Sequence, residues 1–472
     1  MTHHRFVLQL WRYRLTGLML TMGVTFLVIL IGTHLLQQSS VNNWKMPLKK
    51  TDGLATDSNP QQNHIGGDTR SSSAPSENDA DLFYIQRIRT NSPPVVFLKT
   101  HRTGGSTVQN LLFRMGERDG ATFAFPHHTY HFNYPQRYGT SLNRLMSVAE
   151  SPLPPLNSIL HLPLSSGFRF RAELVDKLPS GSSQYDILCS HMRLDVEQLK
   201  KVMSSNAIFI TILREPVQTF ESVFSYYSSS VPAFASAKKA KAETSGNKSA
   251  LSVFLDSPQT FWDPKEFNNG LGKNPMSFDL GLNSRMWNSS WLADLTLLEE
   301  AFQLVMIAEH FDESLVLLGA LLKLELEELA YVRLNSRSAK DITLLDEVTK
   351  VKIRTWNNLD VLLYDFFLQV FWEKAGQYGL ERLRREVGLL RASTERIRQK
   401  CVAKSGVPPD QLEDLVRPSQ IGSATILGHQ VQRNLTKQDQ GFCTRLVLHE
   451  LQYHAHLYYQ QYARDMGLAP TQ

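Results

Sequence analysis

The residues best suited to chemistry lie in one short stretch, Phe97-Leu98-Lys99-Thr100-His101-Arg102-Thr103-Gly104-Gly105-Ser106-Thr107. An apolar run enters it, two glycines turn it, and a helical pattern leaves it. A strand that turns through glycine into a helix aims backbone N–H groups and the positive end of the helix dipole at one point, which makes an anion site. Gly104 and Gly105 permit close backbone approach. Ser106 and Thr107 add hydroxyl donors, Thr100 and Thr103 lie beside them, and Lys99 and Arg102 add positive charge. An ordinary strand-to-helix turn has no need of two cations and two hydroxyls at one bend. Nor is this a nucleotide-triphosphatase loop. That pattern, G-x-x-x-x-G-K-[ST], keeps its lysine inside the turn, whereas both cations here precede the glycines.

A second element is Ile210-Thr211-Ile212-Leu213-Arg214-Glu215-Pro216, continuing to Phe220-Glu221-Ser222-Val223-Phe224-Ser225-Tyr226-Tyr227. Arg214 ends a buried-type strand, the place where ligands bind in open α/β sheets. Ser222 follows about two turns into the next helix, on a neighbouring face. Together the two could hold a second phosphate; a strand-end arginine alone is as readily an ion-pair partner. Two histidines compete for the role of general base, which imidazole suits near neutral pH. His101 sits inside the glycine loop, and His191 sits in Cys189-Ser190-His191-Met192-Arg193. His127, His128 and His131 form a local cluster, but no carboxylate or cysteine spacing supports a metal site there. No metal is expected.

The elements that must position these groups read as alternating strands and helices. Val95–Leu98 is a short buried strand, and Ser106–Arg118 an amphipathic helix with Val108, Leu111, Leu112 and Met115 on one face. Asp186–Cys189, Ala207–Leu213 and Phe302–Ala308 read as further strands. Helices are expected from Pro216 through Tyr227, from about Glu313 to Leu324, and from Asn358 to about Val402. The alternation predicts a parallel sheet covered on both faces by helices, an α/β fold. Ala235–Ala250, rich in Lys, Ala and Ser, is expected to be an exposed loop.

The chain has 472 residues, enough for one large catalytic domain with appendages. Its formal charge of +5 fits an anionic ligand and falls far short of a nucleic-acid binder. Leu15–Leu36 carries no Asp, Glu, Lys or Arg and is long enough to span a bilayer. Arg5, Arg12 and Arg14 precede it, which favours a cytoplasmic N-terminus. The expected organisation is a tail (1–14), a transmembrane signal anchor (15–36), a flexible polar stem (37–91) and a folded body (92–472). A lumenal body agrees with sequons at Asn247, Asn288 and Asn434. The three cysteines lack zinc spacing, and an oxidising lumen would favour a Cys401–Cys443 disulfide with Cys189 as a buried thiol.

The loop at 99–107 and the segment at 210–227 together resemble a PAPS-dependent sulfotransferase, with a P-loop-like fold. The closer resemblance is to the galactose 3-O-sulfotransferase family, which includes galactosylceramide sulfotransferase and glycoprotein-acting relatives. It extends in order through Phe97–Arg118, Phe123–Pro126, Asp186–Arg193, Ile210–Tyr227, Ala308–Leu318, Arg354–Asp360, Ile426–Gly428 and Glu450–Tyr453. The resemblance implies that Lys99, Thr100, Arg102, Thr103, Gly104, Gly105, Ser106 and Thr107 hold the 5′-phosphosulfate. It assigns Arg214 and Ser222 to the 3′-phosphate, with Arg337 of Leu334–Ser338 near the nucleotide. His191 takes the position of the catalytic histidine of the related uronyl 2-O-sulfotransferases. Family members usually carry lysine where this chain has Arg102, which keeps the charge but gives up its proton less readily.

The acceptor implied is a β-galactose-terminated glycan. Thr211–Pro216 and Val305–Glu309 are spelled more like the glycoprotein-acting relatives, with galactosylceramide as the alternative. Trp287 and Trp291 are candidates to stack on a sugar face, or else to pack in the core. Tail, anchor, stem and body form the layout of a Golgi glycan-modifying enzyme, so a type II Golgi membrane protein is expected. A homo-oligomer is compatible with the sequence. Two other readings would need different chemistry. A nucleotide-phosphate kinase lacks its G-K-[ST] core here, and a non-catalytic glycan-binding protein would have no need of the loop cations and histidines.

Overall fold

The structure is a computed structural model and describes residues 93–126, 130–132, 169–244, 248–420, 424–463 and 465–466. The expected tail, anchor and stem lie outside the described residues, as do His127, His128 and Asn247. No helix among the described residues is long and apolar enough to cross a membrane.

In chain order the elements that build the site region are β1 (Val95–Leu98), α1 (Gly105–Asp119), β2 (His131–Phe132), β3 (Ile187–Leu188), β4 (His191–Met192) and β5 (Ile208–Leu213). Then come α2 (Pro216–Tyr226), α3 (Pro232–Glu243), α4 (Pro275–Asp279), α5 (Trp291–Ala301), β6 (Leu304–Ile307), α6 (Phe311–Leu322) and β7 (Ser336–Arg337). The chain continues through α7 (Glu347–Trp356), α8 (Asn358–Tyr378), α9 (Leu380–Cys401), β8 (Val402–Val407), β9 (Ile426–Val431), α10 (Lys437–Val447) and α11 (Glu450–Tyr462).

The central sheet has the order β3-β1-β5-β6, and every pairing in it is parallel. Its strands are short apolar runs because both faces are covered; all four residues of β1 are fully buried. From β1 the chain crosses to β3 on one side and returns to β5 on the other. The crevice beyond the carboxyl ends of β1 and β5 is therefore a topological switch point, the usual ligand position in such sheets. Lys99 and Arg214 are the first residues past those two ends. A two-stranded parallel ribbon pairs β2 with β4, and an antiparallel sheet has the order β7-β9-β8.

The α/β expectation holds, with local corrections. The segment from Ala235 is not a loop: α3 carries helix through Glu243, and Ala250 opens another helix to Asp256. Pro232 in its first turn and its alanines favour helix, and Ala233, Phe234 and Ala237 bury one stripe in an aromatic core with Phe220, Phe224 and Phe254. The long helical stretch after Asn358 is two helices broken at Gly379, whose φ of 98° suits glycine. Cys401 and Cys443 are disulfide-bonded, tying the end of α9 to α10, and Cys189 is a buried free thiol.

Candidate active site

The loop after β1 is built by backbone geometry that its residue types allow. Gly104 has a φ of 94°, where a side chain would strain the turn into α1. Gly105 packs so closely that an added Cβ would lie 2.9 Å from Lys99 Cγ. Arg102 also adopts a left-handed φ of 63°, uncommon for a residue with a long side chain. That turn swings its guanidinium over the Tyr226 ring, 4.2 Å from the centroid, while Nε donates to Ser222 Oγ at 3.0 Å. Thr100 and Thr103 bond each other at 2.8 Å, and Thr100 also donates to the Ile212 carbonyl, locking the loop to β5.

One cavity of about 560 Å³ opens at the switch point. Lys99, Thr100, Arg102, Thr103, Gly104, Gly105, Ser106, Thr107, His191, Arg214, Ser222 and Arg337 all line it. Of the residues expected to bind the donor or to catalyse, His101 alone does not line it. Four arginines line it, Arg102, Arg214, Arg333 and Arg337. Arg214 donates to the Arg102 carbonyl at 3.2 Å and to Gln218 at 3.0 Å. Arg337 makes a buried two-pronged ion pair with Glu221. Burial lowers the Arg102 pKa, with Tyr226 and Tyr227 opposing and Arg337 and Arg214 adding to the drop; burial also lowers Arg214, against the pull of Glu309. Among the described residues, neither Arg102 nor Arg214 ion-pairs with a carboxylate. A buried excess of positive charge beside a glycine turn at a helix N-terminus is built for an anion with several oxygens.

Lys99 is buried and held on two sides. Its ammonium bonds Glu450 Oε2 and donates to Gln109 Oε1 at 2.9 Å. Gln109 in turn donates to the Cys189 carbonyl at 2.6 Å. Burial lowers the Lys99 pKa, while Glu450 works to raise it. Glu450 is the first residue of α11, 351 positions from Lys99 in sequence. It is set in place by α1: Asn110 donates to the Arg445 and Leu448 carbonyls, and buried Glu117 accepts from Arg445, Tyr453 and His456.

The two competing histidines stack face to face, with ring centroids 4.1 Å apart. His191 is on the cavity wall. Its Nδ1 lies 2.7 Å from the Lys99 carbonyl oxygen, so that nitrogen carries the proton and donates. The neutral ring then keeps its lone pair on Nε2, the tautomer a base requires. Burial first, then His101, Lys99 and His131, hold the His191 pKa well below the ordinary imidazole range. His101 lies behind it and does not line the cavity. Its Nδ1 is 2.9 Å from both carboxylate oxygens of Asp279, and its backbone N–H donates to Asp279 at 2.8 Å. Asp279 ends α4, whose first-turn groups at Met276 and Ser277 donate to buried Asp360; burial raises that carboxyl to about 7.

Residues 7–461 match the family model described as galactose-3-O-sulfotransferase. The chain belongs to the galactose-3-O-sulfotransferase family. It is 35% identical over 397 residues to galactose-3-O-sulfotransferase 2 of Homo sapiens, covering 82% of this chain and 88% of that protein. Galactosylceramide sulfotransferase of Bos taurus is 34% identical over 364 residues, 76% of each chain. Galactose-3-O-sulfotransferase 3 of Mus musculus is 33% identical over 390 residues, 79% of this chain and 80% of that one. The chain is thus a sulfotransferase, and the sequence resemblance is borne out.

Some neighbours of this sulfotransferase site had no local signal. Glu450, Asp279 and Glu221 act on residues far away in sequence, and only the fold joins them. Glu450 was part of a shared stretch, without a role. His131 enters by pairing: β2 and β4 align His131 with His191, ring centroids 5.1 Å apart. His131, His191 and Glu450 each offer a ligand atom within 4.8 Å of the others, a carboxylate–histidine grouping invisible in the spacing. Trp291 is fully buried in the core and Trp287 is exposed away from the cavity, so neither lines it.

Proposed function

We propose that this enzyme moves a sulfuryl group from PAPS to the 3-hydroxyl of a terminal β-galactose on glycoprotein glycans. The observation that carries the reading is one cavity that gathers Lys99, Arg102, Arg214 and Arg337, with no carboxylate ion pair on Arg102 or Arg214 among the described residues, beside His191, whose Nδ1 is held as a donor. The cluster fits a donor with phosphate at both ends of its ribose. Arg214, Ser222 and Arg337 are assigned to the 3′-phosphate, and Lys99, Arg102 and the loop amides to the 5′-phosphosulfate. PAPS supplies an activated sulfuryl group with a phosphate leaving group.

The protein's part is positioning and electrostatics, as in phosphoryl transfer. His191 Nε2 accepts the proton of the attacking hydroxyl. The Lys99 carbonyl, on Nδ1–H, keeps that tautomer and steadies the ring as it becomes cationic. Lys99 has three N–H donors and spends two on Glu450 and Gln109, leaving one for a sulfonate or phosphate oxygen. Arg102 spends only Nε on Ser222, so its terminal N–H groups can spread over developing charge. His101, fixed by Asp279, supports the His191 ring from behind. No metal has a role in this scheme.

The glycoprotein acceptor rests on the spelling of Thr211–Pro216 and Val305–Glu309. Similarity to galactosylceramide sulfotransferase favours a glycolipid as the second reading. The proposal includes a Golgi membrane anchor at 15–36 with the body in the lumen. Incubating the body, from about Asp81 onward, with sulfur-labelled PAPS and a panel of β-galactosides without added metal tests the reaction. Label on galactose O3 is the expected result, with glycoprotein glycans ahead of galactosylceramide. Folded protein that binds PAP yet labels no galactoside would sink the assignment.

A further inference from the structure

The cavity has a wall on which the donor-side scheme makes no demand. Glu450 gives Oε2 to Lys99, but its Oε1 is buried and has no hydrogen-bond partner among the described residues. His131 Nδ1 is likewise buried without a partner, and both residues line the cavity. Buried polar atoms are nearly always satisfied, so two orphans on residues that line one cavity point to a ligand that brings the missing groups. Each of the two residues has a ligand atom within 4.8 Å of one on His191.

We propose that Glu450, assisted by His131, grips the hydroxyl next to the one that reacts, and so selects the acceptor sugar. This rests on the reading that a galactose 3-hydroxyl is the nucleophile. Two hydrogen-bond acceptors a few ångströms apart suit two donors on adjacent ring carbons, each reaching its partner at ordinary hydrogen-bond length. One hydroxyl of the diol donates to His191 and gives up its proton there. Its neighbour donates to Glu450 Oε1, in a bond strengthened by the carboxylate charge. His131 Nδ1, on a ring that burial keeps neutral with its pKa at about 3, donates to or accepts from the same hydroxyl. A metal ion is the competing occupant of the three side chains. The Lys99 ammonium, bonded directly to Glu450, places a positive charge where that ion would sit and opposes it.

The same contacts give Glu450 two separable duties, holding Lys99 through one oxygen and reading the sugar through the other. The test is therefore a cycle between protein and substrate. Wild type and Glu450→Ala are assayed with labelled PAPS on a β-galactoside and on its 2-deoxy and 4-deoxy analogues. With wild type, deleting the gripped hydroxyl should lower kcat/KM by about tenfold or more. In E450A the same deletion should cost less than about threefold, because its partner is already gone. If E450A does not fold, Glu450→Gln replaces it, and the deoxy penalty should shrink as the charged acceptor becomes neutral. Equal deoxy penalties in wild type and variant would overturn the inference and leave Glu450 as a clamp on Lys99 alone. So would wild type that tolerates both deoxy sugars, or transfer that depends on a divalent ion bound without sugar. Wild type inactive on every galactoside would overturn the acceptor reading, and this inference with it.

Discussion

Replacing His191 with asparagine separates the base from the scaffold that holds it. An asparagine Nδ2–H can keep donating to the Lys99 carbonyl, as His191 Nδ1–H does at 2.7 Å. The buried carbonyl then stays satisfied, and its share of the folding free energy, about 1 kcal/mol, is kept. What is lost is Nε2 and the stacked contact with His101, the latter worth about 1 kcal/mol. H191N should therefore fold, with a melting temperature lower by a few degrees, about 2–4 °C per kcal/mol for a body of this size. Loss of a general base costs about 10²–10⁴ in rate, or roughly 3–5 kcal/mol in the barrier. The assay is kcat/KM for sulfuryl transfer to a β-galactoside, with PAP affinity measured beside it by calorimetry. PAP binding should be unchanged while kcat/KM falls at least about a hundredfold. His101→Asn is the control. It keeps a donor to Asp279 and removes only a ring behind the cavity wall, so it should cost about tenfold, as a misplaced support does. H191N active to within tenfold of wild type, with H101N the more damaged of the two, would refute the assignment and make His101 the base.

Breaking the buried pair Arg337–Glu221, whose side chains are 5% and 7% exposed, should destabilise the fold by about 3 kcal/mol in E221A, because the guanidinium is left buried without its counter-charge. Denaturant unfolding reads this, and a matching gain in PAP protection would show the anion taking over the role. Reducing Cys401–Cys443, or replacing both cysteines with serine, frees a loop of 42 residues and should cost about 4 kcal/mol, seen as a lower melting temperature. Acidification should destabilise the protein from about pH 6.5 downward. Burial depresses His131 to about 3 and His449 and His454 to about 4, so the unfolded chain takes up protons first; the stability is complete above the ordinary imidazole value and drains away as pH falls toward 4. Melting curves between pH 7.5 and 4.5 check the sign, and a flat profile would contradict it.

What could be read without coordinates was whatever is contiguous. Lys99 to Thr107 declares itself because the strand, the glycines and the helix that make an anion site follow one another in the chain. Arg214 and Ser222 were legible for the same reason, as one strand end and the helix after it. The partners that set charge and orientation were not, since each comes from elsewhere: Glu450 to Lys99 across 351 residues, Asp279 to His101 across 178, Glu221 to Arg337 across 116. What sets His191 apart from His101 is its place on the cavity wall and its bond to the Lys99 carbonyl, which no residue type announces. The Ala235–Ala250 segment misled, and Trp291 stayed open between two readings, for a related reason. A tryptophan is equally at home on a sugar or in a core, and a run of Lys and Ala is solvated whether it is coil or the outer face of a helix. Tertiary packing decides both.

The helix that delivers Glu450 also sets a timetable. Ribosomes complete the glycine loop early, when Thr107 leaves the exit tunnel, and His191 soon after. Lys99 must wait for more than two-thirds of the chain to follow before its counter-charge arrives on α11. Until then a nascent chain carries the Lys99 ammonium without the carboxylate that tempers it. A chain interrupted anywhere upstream of α11 would thus be inert, however well its sheet had formed, and the cell would be spared a half-built transferase that consumes donor without an acceptor.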